Sequence, residues 1–382
     1  MSMSEKYKLI RLTTIDESLW VLLKGQLRFL SAEFEVVGVA DDSGRLAQVA
    51  EREGVRTVAV PMHREISLLN DVQSLILLIR LFRKEKPYIV HANTPKASLL
   101  GMLAARITGV PHRIYLVTGL RFETACGLFR WVLKTMERIT CACATKVIPE
   151  GDGVAATLRR ERITRKPLRK ILNGNINGVD LGFFDRLPEV EIRARELGAG
   201  AAGNFSFVFV GRLVKDKGIN ELVQAFVKLN EVCPHTRLCL VGTFEDRLDP
   251  VLPQTRRWVE EHPSISAVGY QSDVRPYMAA SNVLVLPSYR EGFPNVVLQA
   301  GAMGLPCIVT DINGCNEAIV DGVNGRIVPK QDADALFDAM KGLVENREAF
   351  AKMAGAAREM IASRYAQPDV WKATLEMYKN LQ

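Results

Sequence analysis

The sequence predicts an α/β protein built from two Rossmann-like, doubly wound domains that face each other across a cleft. Strand-like apolar runs of about four to six residues alternate with helical patterns of about ten or more, which is typical of parallel sheets covered by helices on both faces. The alternation begins at KLIRLTT and restarts at FSFVFVG. The 382 residues also suffice for two domains, each with its own core.

The repeating pattern of the first half predicts an N-terminal domain over residues 1–185. Its strand-like runs are KLIRLTT, FEVVGVA, TVAVP, YIVHA, RIYLVTG and TKVIP. The helical patterns between them include SLWVLLKGQLRFL, LNDVQSLILLIRLFRKE, KASLLGMLAARITG and GLFRWVLKTMERI. Open α/β sheets bind ligands at the carboxyl ends of their strands, so functional residues are expected in the loops after them.

The same pattern recurs in a second domain over residues 186–365. A segment near 181–204, rich in Pro, Gly and Ala, predicts a linker and a helix before it. The strand-like runs are FSFVFVG, RLCLVG, ISAVG, NVLVLP, PCIVTD and GRIVP. The helical patterns include KGINELVQAFVKLN, DVRPYMAAS and NVVLQAGAMG. The last helix, 366–382, is expected to cross back to the first domain.

The composition is typical of a globular protein that stays in the cytoplasm. Hydrophobic residues make up 48% of the chain and charged residues 24%, and the sequence pattern indicates neither a signal peptide nor a membrane span. The seven cysteines lie mostly in apolar runs, as reduced core cysteines do. Cys141 and Cys143 have no second pair at zinc spacing, so no metal site is predicted.

Positive charge is concentrated in the first half, where residues 1–180 contain 28 Lys and Arg against 18 Asp and Glu. This excess indicates either an anionic partner, such as a phosphorylated acceptor, the inner face of the cell membrane or nucleic acid, or simply a basic surface that keeps the protein soluble. A lipid-binding edge would combine the helices LNDVQSLILLIRLFRKEK and GLFRWVLKTMERI with the cluster Arg159, Arg160, Arg162, Arg165, Lys166, Arg169 and Lys170. Both helices could equally be core helices with basic ends. No nucleic-acid partner is predicted, since no recognition helix or RNA-binding motif appears.

The loop VGRLVKDKGIN follows the strand-like run FSFVFV and leads into a helix. Gly211 allows a tight turn, Arg212 offers a planar fork of donors, and Lys217 adds a point charge beside a helix start. Lys215 and Gly218 complete the loop. Together these residues suit a diphosphate.

A second loop, SYREGFPN, follows NVLVLP and opens the helix VVLQAGAMG. Its carboxylate, Glu291, can accept charge-assisted hydrogen bonds from sugar hydroxyls, while backbone N–H groups at the helix start face the same ligand. One loop for phosphate and one for hydroxyls predict a nucleotide sugar. Taken alone, this second loop could also be an ordinary helix start that contains proline.

The two loops carry a family resemblance. The motif GR-x4-KG and the spacing of E-x7-E, in the context SNVLVLPSYREGFPNVVLQAGAMGLPCIVTDINGCNEAIVDGVNGRIVP, resemble the retaining family 4 glycosyltransferases of the GT-B fold. Bacterial enzymes of capsule, O-antigen and exopolysaccharide assembly are the most similar members. The likeness is strong over 205–330 and looser in the first half, through LTTIDESLWVLLKGQL, IVHANTPKA and ILNGNINGVD.

The resemblance implies a catalytic role for three residues. Arg212 and Lys217 would bind the donor diphosphate and offset its charge as it leaves, and Glu291 would hold hydroxyls of the transferred sugar. Gln299 replaces the second acid of E-x7-E. Because hydrogen bonds of a neutral amide contribute about 1 rather than 2 kcal/mol, we expect weaker nucleotide affinity. The implied donor-binding residues are Gly211, Gly269, Tyr270, Gly292, Phe293, Pro294, Asn295 and Gln299.

The resemblance implies that the N-terminal domain binds the acceptor, and this domain carries fewer recognisable motifs. Many members of the family place a histidine before the glycine that follows the fifth strand, where this chain has Thr118. Of the five histidines, only His91 follows a strand at the expected cleft edge, as either a packed core residue or a catalytic one. The candidate acceptor and cleft residues are Thr14, His91, Lys96, Thr118, Gly119 and Arg121.

The sequence thus predicts a retaining glycosyltransferase that needs neither metal nor cofactor. It would move a sugar from a nucleotide-diphosphate donor, with UDP-sugars favoured, to a glycan or a polyprenyl-diphosphate-linked sugar. The acceptor hydroxyl would attack the face that the diphosphate leaves, with Arg212 and Lys217 supplying electrostatic stabilisation. Asp332 and Asp334 form D-x-D only at a helix start, where a capping role is expected. The alternatives are a nucleotide-sugar 2-epimerase and a non-enzymatic basic scaffold that binds membrane or nucleic acid.

Overall fold

The computed structural model describes residues 6–62, 67–198, 204–246 and 249–381. Contacts divide the chain into two compact units. The first comprises Met1–Asn177 and Pro368–Gln382, and the second comprises Gly178–Gln367. The domain boundaries expected from the sequence, 185/186 and 365/366, lie near these divisions.

A six-stranded parallel sheet forms the centre of the first unit. Its strand order, β3-β2-β1-β4-β5-β6, is that of the Rossmann fold, whose topological switch point lies between β1 and β4. Loops after these two neighbouring strands therefore diverge at the edge where such sheets bind ligands. In the described residues the strands are β1 (Lys8–Ile15), β2 (Glu35–Asp41), β3 (Arg56–Ala59), β4 (Ile89–Ala92), β5 (His112–Val117) and β6 (Lys146–Pro149).

Helices cover both faces of this sheet. Along β1, Ile10 and Leu12 belong to one hydrophobic cluster and Leu9 to another, as the alternation of side chains across a strand requires. The helices of this part are α1 (Asp16–Leu22), α2 (Gln26–Ser31), α3 (Leu46–Glu53), α4 (Leu68–Glu85), α5 (Pro95–Ile107), α6 (Gly127–Cys143) and α7 (Asp152–Arg160).

The helical pattern SLWVLLKGQLRFL forms two helices instead of one. The break between α1 and α2 lies at Gly25, which adopts a left-handed conformation with φ of 79°. A Cβ atom at this position would lie 2.6 Å from the ring of Trp371. The interruption therefore follows from packing against a residue far along the chain, which the local pattern could not show.

The last helix of the chain, α16 (Gln367–Lys379), contributes side chains to the core of the first unit. Tyr378 is fully buried, with its ring against Phe34 and its hydroxyl 3.3 Å from Nη1 of Arg11. Trp371 donates from Nε1 to Oδ1 of Asn177 at 2.6 Å. The C-terminal residues therefore complete the packing around β1.

The second unit repeats the same architecture. Its sheet has the order β12-β11-β10-β7-β8-β9, which is the Rossmann order with the switch point between β7 and β10. The predicted α/β fold of two Rossmann-like domains is confirmed. The described strands are β7 (Phe205–Val210), β8 (Thr236–Val241), β9 (Ile265–Ala267), β10 (Val283–Leu286), β11 (Cys307–Thr310) and β12 (Gly325–Val328).

The described helices of the second unit flank this sheet, and none of the helices in the described ranges is both long and apolar enough to span a membrane. Asp332 accepts a hydrogen bond from the backbone N of Ala335 at 2.9 Å, which confirms its expected role as a helix cap. The helices are α8 (Pro188–Glu196), α9 (Ile219–Val232), α10 (Pro253–Glu261), α11 (Arg275–Ala279), α12 (Asn295–Ala302), α13 (Cys315–Ala318), α14 (Ala333–Glu345) and α15 (Arg347–Tyr365).

One carboxyl group of the first unit makes its stability depend on pH. Glu137 of α6 accepts a hydrogen bond from the hydroxyl of Tyr115 at 2.8 Å, and burial raises the pKa of Glu137 from 4.5 to about 7. The folded state therefore keeps a proton that the unfolded chain releases at lower pH. Stability from this group is full below about pH 4.5, falls between 4.5 and 7, and stays low above that range.

We predict that Glu137→Gln raises the free energy of unfolding at pH 8 by on the order of 2 kcal/mol, because the amide can still accept from Tyr115 without carrying a charge. At pH 5 the effect should be much smaller. Urea unfolding at both pH values measures the difference, with the exposed Glu51→Gln on α3 as the matched control. A gain of the same size at both pH values would contradict the raised pKa.

Candidate active site

Loops of the second unit meet at the carboxyl edge of its sheet through a series of glycines. The backbone N of Gly211, after β7, donates to the carbonyl of Val241 at 2.9 Å. The backbone N of Gly242, after β8, donates to the carbonyl of Gly269 at 2.8 Å. A Cβ atom at Gly242, whose φ is 146°, would lie 1.8 Å from the carbonyl oxygen of Gly211, so a side chain cannot fit there.

The two motif loops are held against each other at the switch point between β7 and β10. Lys215–Lys217 forms a 3₁₀ turn, and the following Gly218 has φ of 70°. Pro287 is the residue before the second loop. A Cβ atom at Gly218 would lie 2.1 Å from its carbonyl oxygen, so a side chain cannot fit between the two loops here. The backbone N of Tyr289 donates to the carbonyl of Asp216 at 2.9 Å. Backbone contacts therefore fix the distance between the loop 211–218, predicted to bind phosphate and called the phosphate loop, and the loop 288–295, predicted to bind sugar hydroxyls and called the sugar loop.

Lys217 and Glu291 form an ion pair across this contact. The hydroxyl of Ser288 donates to the same Oε1 of Glu291 at 2.8 Å. Thr310 in turn donates to the carbonyl of Ser288 at 2.5 Å and supports the loop from β11. The cation predicted for the diphosphate and the carboxylate predicted for sugar hydroxyls thus lie in direct contact.

Arg212 has a different partner from Lys217. Its Nη1 contacts Oε2 of Glu245, a residue in the segment after β8, and its side chain is 59% exposed. The structure therefore brings two of the three predicted catalytic residues together and pairs the third with another acid. The guanidinium still extends from the same edge of the sheet, since Arg212 directly follows Gly211.

The remaining predicted donor residues lie in the loop that contains Glu291, on α12, or after β9. Phe293 is buried and its ring centroid lies 5.3 Å from that of Tyr365. Pro294 caps α12, Asn295 is its first residue, and Gln299 lies partly buried on the same helix. Gly292 lies partly buried beside Glu291, and Gly269 precedes the largely exposed Tyr270 at the end of β9.

Comparison with known proteins identifies the family of this chain. Residues 204–346 match the family described as glycosyl transferases group 1, and residues 23–174 match the glycosyl transferase 4-like domain. The chain is 31% identical over 373 residues to the capsular polysaccharide biosynthesis glycosyltransferase CapM of Staphylococcus aureus, covering 97% of this chain and 96% of that protein. The chain belongs to the group 1 glycosyltransferases.

Other similarities agree with this assignment. A UDP-Gal:alpha-D-GlcNAc-diphosphoundecaprenol alpha-1,3-galactosyltransferase of Escherichia coli is 30% identical, with 85% of this chain and 86% of that protein covered. HepE of Anabaena, solved in complex with UDP-glucose, shares the fold with a TM-score of 0.81 at 18% identity, over 98% of this chain and 99% of that one. The predicted family and enzyme class are confirmed, and the alternative of a non-enzymatic scaffold is wrong.

The first domain of the glycosyltransferase presents hydroxyl groups at its own switch point. Oγ1 of Thr14, near the end of β1, lies 2.7 Å from Oγ1 of Thr94, after β4. Oγ1 of Thr118, after β5, donates to the carbonyl of Asn93 at 2.9 Å. Thr14 and Thr118, both predicted as acceptor residues, thus lie at strand ends of the same sheet and are tied to the loop after β4.

Three other predicted acceptor residues follow β4 and β5 of the same sheet. Lys96, at the start of α5, forms an ion pair of 2.6 Å with Asp71 in the first turn of α4. Gly119 follows Thr118 with φ of 129°, and the exposed Arg121 begins a 3₁₀ turn. The ion pair joins the amino ends of two helices at the carboxyl edge of the sheet.

His91 lies inside β4 and is fully buried, not at an open edge after a strand. Its Nδ1 shares a hydrogen bond of 2.5 Å with the hydroxyl of Tyr378, and it is paired in register with Arg11 of β1. Burial, and then the charge of Arg11, hold the pKa of His91 well below its usual value. The structure corrects the candidate catalytic role in favour of the packed core residue, because an acceptor cannot reach this side chain.

Two contacts of the site escaped the sequence analysis, that of Glu245 with Arg212 and that of Tyr289 with Glu221. Glu245 belongs to no recognised motif, although its place just after β8, the neighbour of β7, could have indicated contact with Arg212. Tyr289 donates to Oε1 of Glu221 at 2.6 Å and anchors the sugar loop to α9. Among the described residues, no three His, Cys, Asp or Glu side chains lie close enough to hold a metal ion.

We predict that Gly314→Ala disturbs the sugar loop. Gly314 has φ of 75°, and a Cβ atom there would lie 2.5 Å from the carbonyl oxygen of Gly292 and 2.8 Å from Cα of Phe293. Displacement of this loop should raise the KM for the donor about ten-fold, since shifts of about 1 Å at a reacting centre can cost up to about 100-fold. Steady-state kinetics with varied donor measure the change.

Gly322→Ala is the matched control, because Gly322 has the same φ of 75° but nothing within 4 Å of a Cβ atom. Gly322→Ala should lower stability by about 1 kcal/mol through the strained backbone, and Gly314→Ala should lower it by more because its Cβ atom also meets backbone atoms. Only Gly314→Ala should change the KM. Equal kinetic effects of the two variants would show that the close approach to the loop does not matter.

Proposed function

We propose that this chain is a retaining, metal-independent glycosyltransferase that moves a sugar from a UDP-sugar to a glycan or a polyprenyl-diphosphate-linked sugar during synthesis of a bacterial surface polysaccharide. The ion pair of Lys217 and Glu291 carries the proposal. It brings a cation and a hydroxyl-binding carboxylate together at the switch point of a Rossmann sheet, where ligands bind.

The charges of the site match the two parts of a nucleotide sugar. When a diphosphate enters, Lys217 can turn from Glu291 to the phosphate oxygens, and the freed carboxylate can accept from sugar hydroxyls. Arg212 offers a planar fork to the same phosphates. As the glycosidic bond breaks, these cations offset the charge that develops on the departing diphosphate, the task that a metal performs in other transferases.

The proposed direction of attack needs no nucleophile from the protein. In this retaining reaction no covalent enzyme intermediate forms, because the role proposed for Glu291, whose Oε1 also accepts from Ser288, is to hold hydroxyls of the sugar. The acceptor oxygen would approach the face that the diphosphate leaves and pass its proton toward that leaving group. The protein contributes position and electrostatic stabilisation.

Relatives support the choice of donor and acceptor class. The Escherichia coli relative is named for UDP-galactose and a diphosphoundecaprenol-linked sugar, and the Anabaena neighbour was solved with UDP-glucose. The Staphylococcus aureus relative is named for capsular polysaccharide biosynthesis. The hydroxyl groups at the carboxyl edge of the first sheet, among them those of Thr14 and Thr118, suit an acceptor sugar. The epimerase alternative has less support, because these relatives of matching length are named as glycosyltransferases.

The test is a panel of nucleotide sugars incubated with the protein, in which release of free nucleoside diphosphate reports transfer or slow donor hydrolysis. We predict release from a UDP-sugar that persists in the presence of a chelator, and an α-linked product from an α-configured donor. Lys217→Met should slow release about 100-fold, since it removes a stabilising charge at the leaving group.

Lys228→Met is the control, because Lys228 forms an ion pair with Asp334 on the surface of the same domain. It should leave release unchanged. Loss of activity with the chelator and its return with manganese would contradict metal independence. Conversion of the nucleotide sugar without release of the diphosphate would favour the epimerase.

We further propose that the enzyme works at the cytoplasmic face of an anionic membrane. Along α6, Leu128, Trp131 and Ile139 share one solvent-facing stripe and are 77%, 60% and 41% exposed. At its carboxyl end the helix adjoins a basic groove of about 500 Å³ lined in part by Arg138, Arg165 and Lys166. An apolar stripe beside a basic groove is complementary to anionic lipid.

The first turns of α4 add exposed apolar side chains to the first domain, namely Leu68, Leu69, Val72 and Ile76. We predict sedimentation with anionic vesicles and little with neutral ones. Trp131→Ser should weaken vesicle binding several-fold, whereas Ile192→Ser, at an exposed apolar residue of α8, should not. Equal sedimentation with both vesicle types, or with neither, would contradict the proposal.

A further inference from the structure

Glu245 is an acid beside the proposed diphosphate site to which neither motif assigns a role. It lies in the segment after β8, and its Oε2 contacts Nη1 of Arg212. Arg212 is the cation expected to bind the donor, so its partner lies where an anionic ligand would compete. The two side chains are 29% and 59% exposed, which leaves the contact open to solvent and to exchange.

The position of Glu245 is fixed by the residues on both sides of it. The backbone N of Leu213 donates to the carbonyl of Thr243 at 2.8 Å, and Leu213 and Phe244 form a parallel bridge. The guanidinium of Arg256 lies 3.9 Å from the ring centroid of Phe244. Contacts of the neighbouring backbone thus hold residue 245 beside residue 212.

The segment is anchored again beyond Glu245. The backbone N of Lys215 donates to the carbonyl of Asp249 at 3.3 Å, and the backbone N of Asp216 donates to its Oδ2 at 2.7 Å. The loop that carries Arg212 and Lys217 is therefore also held in place by its hydrogen bonds to Asp249. A carboxylate presented by an anchored segment meets the guanidinium in a defined place, unlike one at the end of a free loop.

The charges of the turn indicate what this carboxylate does. Lys217 is paired with Glu291 and Arg212 with Glu245, so each of these two cations faces one acid. Once Lys217 turns to phosphate, the carboxylate of Glu291 can accept hydrogen bonds from sugar hydroxyls. No comparable role is assigned to Glu245. A diphosphate bound to Arg212 would bring its negative charge close to the carboxylate of Glu245, which is unfavourable.

We propose that Glu245 competes with the diphosphate for Arg212 and so weakens binding of both the donor and the nucleoside diphosphate product. After sugar transfer, the return of Arg212 to Glu245 favours product release. This inference rests on the proposed function, because it requires Arg212 to bind the diphosphate.

Calorimetric titration with UDP tests the competition. Glu245→Gln keeps the shape of the side chain and removes its charge, so UDP should bind about three-fold more tightly than to the wild type, and more so at low ionic strength. The same substitution in an Arg212→Met background should have little effect, because the competition acts through the guanidinium. Glu196→Gln is the matched control: Glu196 also pairs with an arginine, Arg193, on the surface of this domain at 2.7 Å.

Each outcome separates this inference from the proposal beneath it. If UDP binds the wild type but Glu245→Gln gives the same affinity, the contact is an ordinary surface ion pair and competition is excluded. If Glu245→Gln weakens binding, the carboxylate orients Arg212 for the ligand and the inference is also overturned. If the wild type does not bind UDP at all, the proposed donor is wrong and the inference fails with it.

Discussion

The contact between Lys217 and Glu291 depends on a constraint of sheet topology. The two residues are 74 positions apart in sequence, yet each follows one of two adjacent parallel strands, β7 and β10. At this switch point the helices after the two strands pass to opposite faces of the sheet and leave a space above the strand ends. Gly218 and Pro287 approach so closely that the loops cannot separate without breaking backbone contacts. Backbone contacts therefore fix the positions of the two loops, and the side chains of Lys217 and Glu291 then form the ion pair between them.

The same strand order supports different chemistry in the two domains. At the switch point of the second domain, charged side chains face one another and suit a diphosphate and sugar hydroxyls. At that of the first, the hydroxyl groups of Thr14 and Thr94 hydrogen-bond to each other, and Thr14, Arg11 and His91 are buried. Lys96, two residues after Thr94, pairs with Asp71. One strand order thus places different residues at the two switch points.

The sequence was sufficient for the fold and for the motif loops, because both depend on local patterns. Alternating strands and helices define the two domains, and GR-x4-KG and EGFP identify the loops after β7 and β10. Other features depend on residues far apart in sequence. The break at Gly25 needs Trp371, the burial of His91 needs Tyr378, and the partner of Arg212 comes from the segment after β8. No local pattern records such contacts, so these features had to come from the structure.

The packing of the C-terminal residues around β1 bears on how the protein is made. A ribosome releases residues 1–177 of the first unit before it makes Tyr378. On the growing chain the guanidinium of Arg11 therefore has Gln26 and Asn93 as partners but lacks the hydroxyl of Tyr378. Loss of the last turns of α16 would remove that hydroxyl and the aromatic ring that covers Phe34, far along the chain from α16.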